Sequence, residues 1–480
     1  MTAAAGVRRQ HYNITLAALV LAGTAYALQQ TMVLPALPEL QRDLHTTTTW
    51  TTWIFTGFLL SSAVLTPLLG KLGDQHGKER LLAISLAVFL VGCIGAAAAW
   101  DIWSLIGFRV LQGTGGAVFP LAFAIVNDEF PRERTGAAIG VVSAVYGAAA
   151  GIGLPLSGVI VDHLSWRWLF AVSAVVVLIA LVAVVTLVPE SPIKTPSRVD
   201  VPGAALLSLG LATFLVAISE GPNWGWSSPA TVGLFIVAAV AFAIWVPVEL
   251  RVPEPLVDLR IMAGRVVLFT NTTAFLAGFS LFGAFVLVPQ FVQTPTALGG
   301  YGFGSTATEA GLFLLPGSIL GFISGPFAGR IGRRYGYRLP LTLGMGCASL
   351  GLVLLAEWHE EPWQVVVGMF IAGAGVPLSF AAMAKLVVDA VRPSETGIAS
   401  GVNTVMRTIG GVVGGQVAAT VLASRTIGDT AVPTEWGYST AFWLAAVAAI
   451  LAVCTSFAVT GRRRPALVRA VPEPLPYSER

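Results

Sequence analysis

The chain carries little charge. Lysine, arginine, aspartate and glutamate make up 11% of its 480 residues, whereas 55% are hydrophobic and the mean hydropathy is +0.78. A soluble domain carries about 25% charged residues, so this chain has too few polar side chains to cover a globular surface. The composition therefore predicts a protein that crosses the bilayer several times, with lipid rather than nucleic acid as its partner.

Reactive and ligand-binding signals are also scarce. The three cysteines, Cys93, Cys347 and Cys454, lie far apart in apolar stretches, which argues against disulfides, redox chemistry or a zinc site. The sequence contains no Gly-x-x-x-x-Gly-Lys-Ser/Thr run, no metal-ligand cluster and no nucleophilic triad signature. We therefore expect neither an enzyme nor a protein with a bound cofactor or metal.

Long apolar stretches dominate what remains. Crossing a bilayer takes about 20 apolar residues in a helix, and fourteen stretches approach or exceed this length. They predict an all-α fold with about fourteen transmembrane helices at 12–34, 50–69, 80–99, 102–126, 135–160, 168–188, 202–219, 230–248, 266–292, 306–329, 339–356, 363–388, 396–423 and 438–460. The longest polar linkers, near 189–201 and 249–265, are too short to form a soluble domain.

Basic residues concentrate on one side of the predicted bilayer. The linkers assigned to the opposite side contain only Arg42, Arg167 and Arg425. Because cytoplasmic loops are enriched in lysine and arginine, we expect a multi-pass plasma-membrane protein with both termini in the cytoplasm.

Two linkers resemble each other. Residues 70–80 read GKLGDQHGKER and residues 329–338 read GRIGRRYGYR, with three glycines in register. Many transporters are built from such repeats, with the substrate site between the halves; chance similarity between glycine-rich membrane segments is the alternative. The repeat predicts a six-helix half at 1–190, an inserted helix pair with flanking loops at 191–265, a second six-helix half at 266–461 and a cytoplasmic tail at 462–480.

Several motifs resemble one family. The 70–80 linker is similar to the loop between helices 2 and 3 of the major facilitator superfamily, and the run from Arg109 to Gly115 is similar to its fourth-helix motif. Residues 53–60, 166–170 and 400–411 resemble the fourteen-helix drug:proton antiporter branch. The resemblance implies the major facilitator fold and a monomeric secondary transporter. It implies export of amphipathic drugs or antibiotics by alternating access, driven by the proton gradient.

The chain departs from the branch at two places. Gln29 and Gln30 stand in the run Leu28–Thr31, where the branch has a titratable aspartate. The fifth-helix motif, formed by Gly151, Gly153, Pro155 and Gly158, has its proline moved by one position. These departures keep open a specific metabolite exporter or a uniporter without standard proton coupling. A membrane sensor or scaffold that transports nothing is a more remote alternative.

Embedded polar residues are the candidate transport site. Arg109 lies inside an apolar stretch, where an arginine costs about 2.5–3.5 kcal/mol, and with Gln112 it is expected to serve proton coupling or to anchor a polar network. Cross-linking of helices through backbone carbonyls is the alternative. Arg407 lies one helical turn after Asn403, and the two are expected to contact substrate or take part in coupling. Arg407 could instead extend its charge towards water.

Neighbouring residues complete the set of candidates. Gln29 and Gln30 point about 100° apart on a helix, so one is expected to line the cavity and the other to bond a neighbouring helix.

Glu309 is either a titratable cavity residue or an interfacial or capping residue. The family resemblance implies that Gly70, Asp74, Gly77, Lys78 and Arg80 form a cytoplasmic gate, with Asp74 paired to Arg80. A tight turn with solvated charges is the alternative.

Aromatic residues recur in the ninth span. Phe275, Phe279, Phe282 and Phe285 follow a helical spacing. They form either an aromatic wall for an apolar substrate or, more commonly, a helix-packing face.

Overall fold

The computed structural model describes residues 12–33, 36–46, 48–190, 200–253, 255–392, 395–427 and 432–459. These residues form helices, and their β-structure is limited to a bridge between Thr426 and Pro433. In a bilayer every backbone polar group must be satisfied within the protein, and a helix achieves this within one segment.

The first half of the chain contains eight helices. They are α1 (Tyr12–Thr31), α2 (Leu37–Asp43), α3 (Thr48–His76), α4 (Lys78–Ala97), α5 (Ile102–Gln112), α6 (Val118–Glu129), α7 (Arg132–His163) and α8 (Arg167–Leu187). A 3-10 segment, Gly113–Ala117, joins α5 to α6 within one continuous span. A Cβ on Gly113 would overlap Ser61 of α3, so glycine is what lets α3 and this span approach so closely.

The inserted pair consists of α9 (Val201–Trp224) and α10 (Pro229–Arg251), which pack on each other, and α9 also packs on α3. The second half contains α11 (Leu259–Met262), α12 (Arg265–Gln293), α13 (Thr296–Gly299), α14 (Ala307–Tyr335), α15 (Arg338–Glu357), α16 (Pro362–Ala390), α17 (Thr396–Ala423) and α18 (Glu435–Ala458).

Twelve helical segments of the described residues are long and apolar enough to cross a membrane. Two further predicted spans fall on α7 and α12, which are long helices with shorter apolar stretches at 152–161 and 265–281. The all-α, multi-span prediction is confirmed, and the number fourteen stays a prediction.

One predicted boundary is wrong in an informative way. The second span was expected to end at residue 69 and to be followed by a loop, but α3 continues to His76 and α4 begins at Lys78. The turn between them is made at Gly77, whose φ of 114° is open to glycine and strained for other residues. Gly336, with φ of 88°, makes the same turn between α14 and α15. The two similar linkers thus share one backbone geometry.

The two halves meet unevenly. α7 packs along α14, and α3 packs on α17. In the fourth span, α6 packs on α17 and α16, whereas α5 packs mainly on α3 and α4. The halves are therefore joined more closely at the end of the bundle where α6 lies, which we call the latch end.

Candidate functional site

Arg109 is the centre of a buried polar network in the first half. Its side chain is 0% exposed. Its Nε donates to the Ile54 carbonyl on α3 at 2.8 Å, and its Nη1 donates to Gln112 Oε1 at 2.6 Å. Gln29 Nε2 of α1 donates to the same Gln112 oxygen at 3.4 Å. The network thus ties three spans together through one guanidinium group.

Aromatic rings complete the surroundings of Arg109. The guanidinium carbon lies 4.3 Å from the centre of the Phe58 ring and 6.0 Å from that of Phe170. A ring face attracts a cation, by about 2 kcal/mol or more when both groups are desolvated. Among the described residues, no acidic side chain forms a salt bridge with Arg109. The charge is therefore held by carbonyl groups and ring faces.

Three polar atoms of this network remain without a hydrogen-bond partner among the described residues. They are Gln29 Oε1, Gln112 Nε2 and Arg109 Nη2, and all three are buried. A buried polar atom without a partner costs about 1–3 kcal/mol. The network therefore has one acceptor and two donors that a further hydrogen-bonding group would satisfy.

Arg407 and Asn403 lie together on α17 in the second half. Asn403 Nδ2 donates to Asn271 Oδ1 of α12 at 2.9 Å, which joins the two helices. The Arg407 guanidinium lies 4.3 Å from the centre of the Phe380 ring on α16, and its side chain is buried. Both residues therefore point into the second half rather than towards solvent.

At the latch end, a carboxylate of α3 caps α17. Asp74 is 2% exposed, and it accepts N–H hydrogen bonds from Gly397 at 3.0 Å and Ile398 at 3.2 Å. The start of a helix offers free N–H groups and a partial positive charge, both of which favour an anion. A Cβ on Gly70 would lie 2.7 Å from the Gly397 oxygen, so the helices touch through backbone.

Lys78 extends this contact to two more helices. Its Nζ lies 3.6 Å from Asp74, 2.5 Å from Asp128 at the end of α6, and 3.1 Å from the Thr396 hydroxyl. We call Asp74, Lys78, Asp128 and residues 396–398 the latch. The predicted pairing of Asp74 with Arg80 is wrong, because Arg80 is exposed whereas the buried carboxylate meets Lys78 and backbone N–H groups.

An apolar cavity of about 450 Å³ lies between the halves. Its walls come from α1, α7 and α14, and several wall residues of α14, including Phe322 and Ile323, are about half exposed. Leu28 of α1 lines this cavity, while the next residue, Gln29, bonds Gln112. The predicted division of roles between the glutamines therefore assigns helix bonding to Gln29. Gln30 is buried as well.

A second cavity, of about 40 Å³, lies inside the second half. Phe285 and Phe380 line it, and Ser318 lines both cavities. Of the other predicted wall residues, Phe275 and Phe279 lie where α12 packs on glycines of α17, and the Phe282 side chain lies outside the described residues.

The remaining candidates have structural surroundings. Glu309 is exposed and forms a capping box with Thr306 at the start of α14, so the capping alternative is the correct one. In the fifth-helix motif, Gly153 packs on Thr31 of α1, and Pro155 and Gly158 pack on the start of α14. The surroundings of Gly151 lie outside the described residues.

Comparison with known proteins identifies the chain. Residues 19–415 match the Major Facilitator Superfamily. The chain belongs to this superfamily. Multidrug resistance protein 3 of Bacillus subtilis is 29% identical over 399 residues, which cover 82% of this chain and 76% of that protein. The tetracenomycin C resistance and export protein of Streptomyces glaucescens is 29% identical over 439 residues, which cover 91% and 80% of the two chains.

A solved structure shares the fold of this transporter. The human organic anion transporter MFSD10 (TETRAN) aligns with a TM-score of 0.64 at 16% identity, covering 92% of this chain and 99% of that one. This likeness supports the major facilitator fold. Superfamily membership makes the chain a transporter and not an enzyme.

Sequence reasoning missed several partners within this facilitator protein. Asp128, Asn271 and Phe380 were not among the candidates, although they contact Lys78, Asn403 and Arg407. Asp128 lies at the end of the fourth span, and an acidic residue at the end of a span that contains a buried arginine was an available signal. The other two have no distinguishing pattern in the sequence.

Proposed function

We propose that this transporter exports amphipathic small molecules, such as drugs and antibiotics, in exchange for protons, and that it does so by alternating access. The observation that carries the proposal is the apolar cavity of about 450 Å³ between the two halves. Ligand pockets of drug-sized molecules have about 300–1,000 Å³ and mostly apolar walls. The names of the two bacterial relatives, which concern drug resistance and export, point to the same class of substrate.

The latch supports alternating access. It holds the halves together at one end through a buried carboxylate on a helix N-terminus, a discrete contact that can form or break as a unit. We assign the latch end to the cytoplasm, because basic residues concentrate on that side of the sequence. We also propose that both termini lie in the cytoplasm and that the protein is a monomer in the plasma membrane.

Coupling to protons needs a group other than residue 29. Gln29 cannot titrate, and its side chain bonds Gln112. Arg109 then acts by orienting the network rather than by exchanging its own proton. This observation favours a second candidate function, a metabolite exporter or uniporter without proton exchange, and the experiment below separates the two.

The test uses purified protein in lipid vesicles that contain a pH-sensitive dye. Adding amphipathic cations and antibiotics from a broad panel should move protons in the direction opposite to the substrate. Substrate movement without proton movement would favour the uniporter. If no compound of the panel causes either substrate movement or proton movement, export of this substrate class is contradicted.

A pair of variants tests the cavity itself. Ala149→Phe places a large ring in the cavity wall, and should lower or change substrate transport because the added ring occupies the space between α1, α7 and α14. Ala239→Phe makes the same change at an exposed position of α10 and should leave transport unchanged. Equal transport by both variants would show that the substrate binds elsewhere.

A further inference from the structure

Two buried carboxyl groups of the inserted pair face each other. Asp200 immediately precedes α9 and is 6% exposed, and Glu249, near the end of α10, is 3% exposed. The position that a Cβ atom would take on Gly203 serves as a reference point between the two carboxyl groups. An atom there would overlap Asp200 Oδ2 and would lie 2.6 Å from Glu249 Oε2. Both oxygens therefore lie within 3.0 Å of one point.

The facing oxygens lack donors among the described residues. Asp200 Oδ2 and Glu249 Oε2 are both buried without a hydrogen-bond partner. Their other oxygens are used, since Asp200 Oδ1 accepts from the Gly203 N–H at 2.9 Å and Glu249 Oε1 accepts from the Val257 N–H. Two ionised carboxylates in one buried site repel each other, and a proton on one of them supplies the missing donor.

Several charged groups lie around the pair, and the positive charge of Lys71 acts on Glu249. Lys71 of α3 donates to the Pro255 carbonyl at 3.0 Å. Asp258 lies 3.9 Å from Arg392, which also bonds Glu395, and Arg251 at the end of α10 is exposed. Residues 191–199, which precede Asp200, lie outside the described part of the chain.

The pair is mechanically connected to the latch. Glu249 holds residues 255–257 through Val257, and Leu256 and Val257 belong to one buried hydrophobic cluster with Ile398 of α17, against which Val64 and Leu68 of α3 also pack. These are the two helices that the latch joins, and Lys71 lies one turn from Asp74. A loosened 255–257 segment would therefore remove apolar packing from the α3–α17 contact.

We infer that Asp200 and Glu249 form a proton-binding site, in which one shared proton holds the 255–257 segment in place and so stabilises closure of the latch end. Loss of the proton leaves two negative charges facing each other, which pushes the start of α9 away from the end of α10. Alkaline pH then favours separation of α3 from α17. This site lies outside the cavity and the Arg109 network and does not depend on the substrate.

Infrared difference spectroscopy of the purified full chain tests the proton directly. A pH titration from about 5 to about 9, which lies above the ordinary carboxyl pKa, should remove a carbonyl-stretch band of a protonated carboxyl group. Asp200→Asn keeps the helix cap, and Glu249→Gln keeps the size of the side chain. Each variant should abolish that band, because the new amide NH₂ group donates the hydrogen bond that the shared proton supplies in the wild type. Asp258→Asn, at a partly exposed carboxylate of the same region, should keep it.

Distance measurement tests the connection to the latch. Spin labels at His76→Cys and Ala390→Cys, both exposed at the latch end, are introduced after the three native cysteines are replaced by serine. The wild-type distance distribution should shift to longer values as the pH rises, and in Glu249→Gln it should stay short at every pH. An unchanged wild-type infrared spectrum over the titration, or an equal pH response in wild type and Glu249→Gln, overturns the inference whatever the transport assays give.

Discussion

Replacing Asp74 with asparagine tests how strongly the latch joins the two halves. The carboxylate is buried, accepts N–H hydrogen bonds from Gly397 and Ile398, and lies 3.6 Å from Lys78. Asparagine keeps one acceptor oxygen but places an NH₂ group where the other oxygen was. A hydrogen bond to a charged group contributes about 1.5–3 kcal/mol, so we expect the latch to weaken by about 3 kcal/mol. This amounts to roughly a hundredfold shift from closed towards open.

The assay is the distance between labels at residues 76 and 390, measured in detergent and in lipid vesicles. Asp74→Asn should add or enlarge a long-distance population. Asp389→Asn is the matched control, because this carboxylate pairs with Lys385 near the same end but is half exposed, and exposed pairs contribute only about 0–1 kcal/mol. If Asp74→Asn leaves the distribution unchanged, or if Asp389→Asn changes it equally, the latch does not hold the halves together.

The remaining predictions concern the polar networks and helix packing. Arg109→Lys should lower transport at least tenfold with normal abundance in the membrane, because lysine lacks the planar guanidinium whose separate Nε and Nη1 donate to Ile54 and Gln112; equal transport by the lysine variant would contradict this. Asn403→Ala should lower thermal stability by about 1–3 kcal/mol, since it leaves the Asn271 oxygen buried without its donor; Thr420→Ala, at an exposed position of the same helix, is the control. Thr306→Ala should cost about 1 kcal/mol of stability through loss of the α14 cap, with substrate transport unchanged in vesicles. Gly113→Val should destabilise the fold by about 1–3 kcal/mol or more in thermal unfolding, because its side chain would overlap Ser61.

The number and type of elements follow from composition, because a helix is the simplest way to satisfy a backbone in lipid. The residues at which these elements begin and end follow less well from composition. The charged residues 71–80 suggested a loop, yet α3 continues to His76 and burial of Asp74 and Lys78 is compensated by helix α17 and by Asp128. A hydropathy pattern does not identify these partners. Asp128 lies fifty residues after Lys78, and α17 begins more than three hundred residues after Asp74.

For the candidate site, too, the sequence predicts which residues matter better than it predicts their partners. Its polar residues could be predicted because a charge in an apolar stretch is costly, and Arg109 is indeed buried. Its partners could not, because a backbone carbonyl such as that of Ile54 is available at every residue and a ring such as Phe58 occurs throughout an apolar chain. Glu309 was ambiguous for a related reason, since a capping glutamate and a cavity glutamate look alike until the exposed N-terminus of α14 is seen.

Helix α3 connects the two parts of the molecule that sequence analysis treated separately. Its Ile54 carbonyl holds Arg109, and its Asp74, about 30 Å further along the helix, caps α17. A long helix transmits a displacement at one end to the other if it moves as a rigid body. Opening the latch then requires α3 to move relative to α17 while Arg109 either follows it or gives up the Ile54 carbonyl. Arg109 is also bonded to α1 through Gln112 and Gln29. If α3 moves as one body, the free energy of latch opening includes that of the Arg109 network, and substitutions at residues 74 and 109 should not be additive.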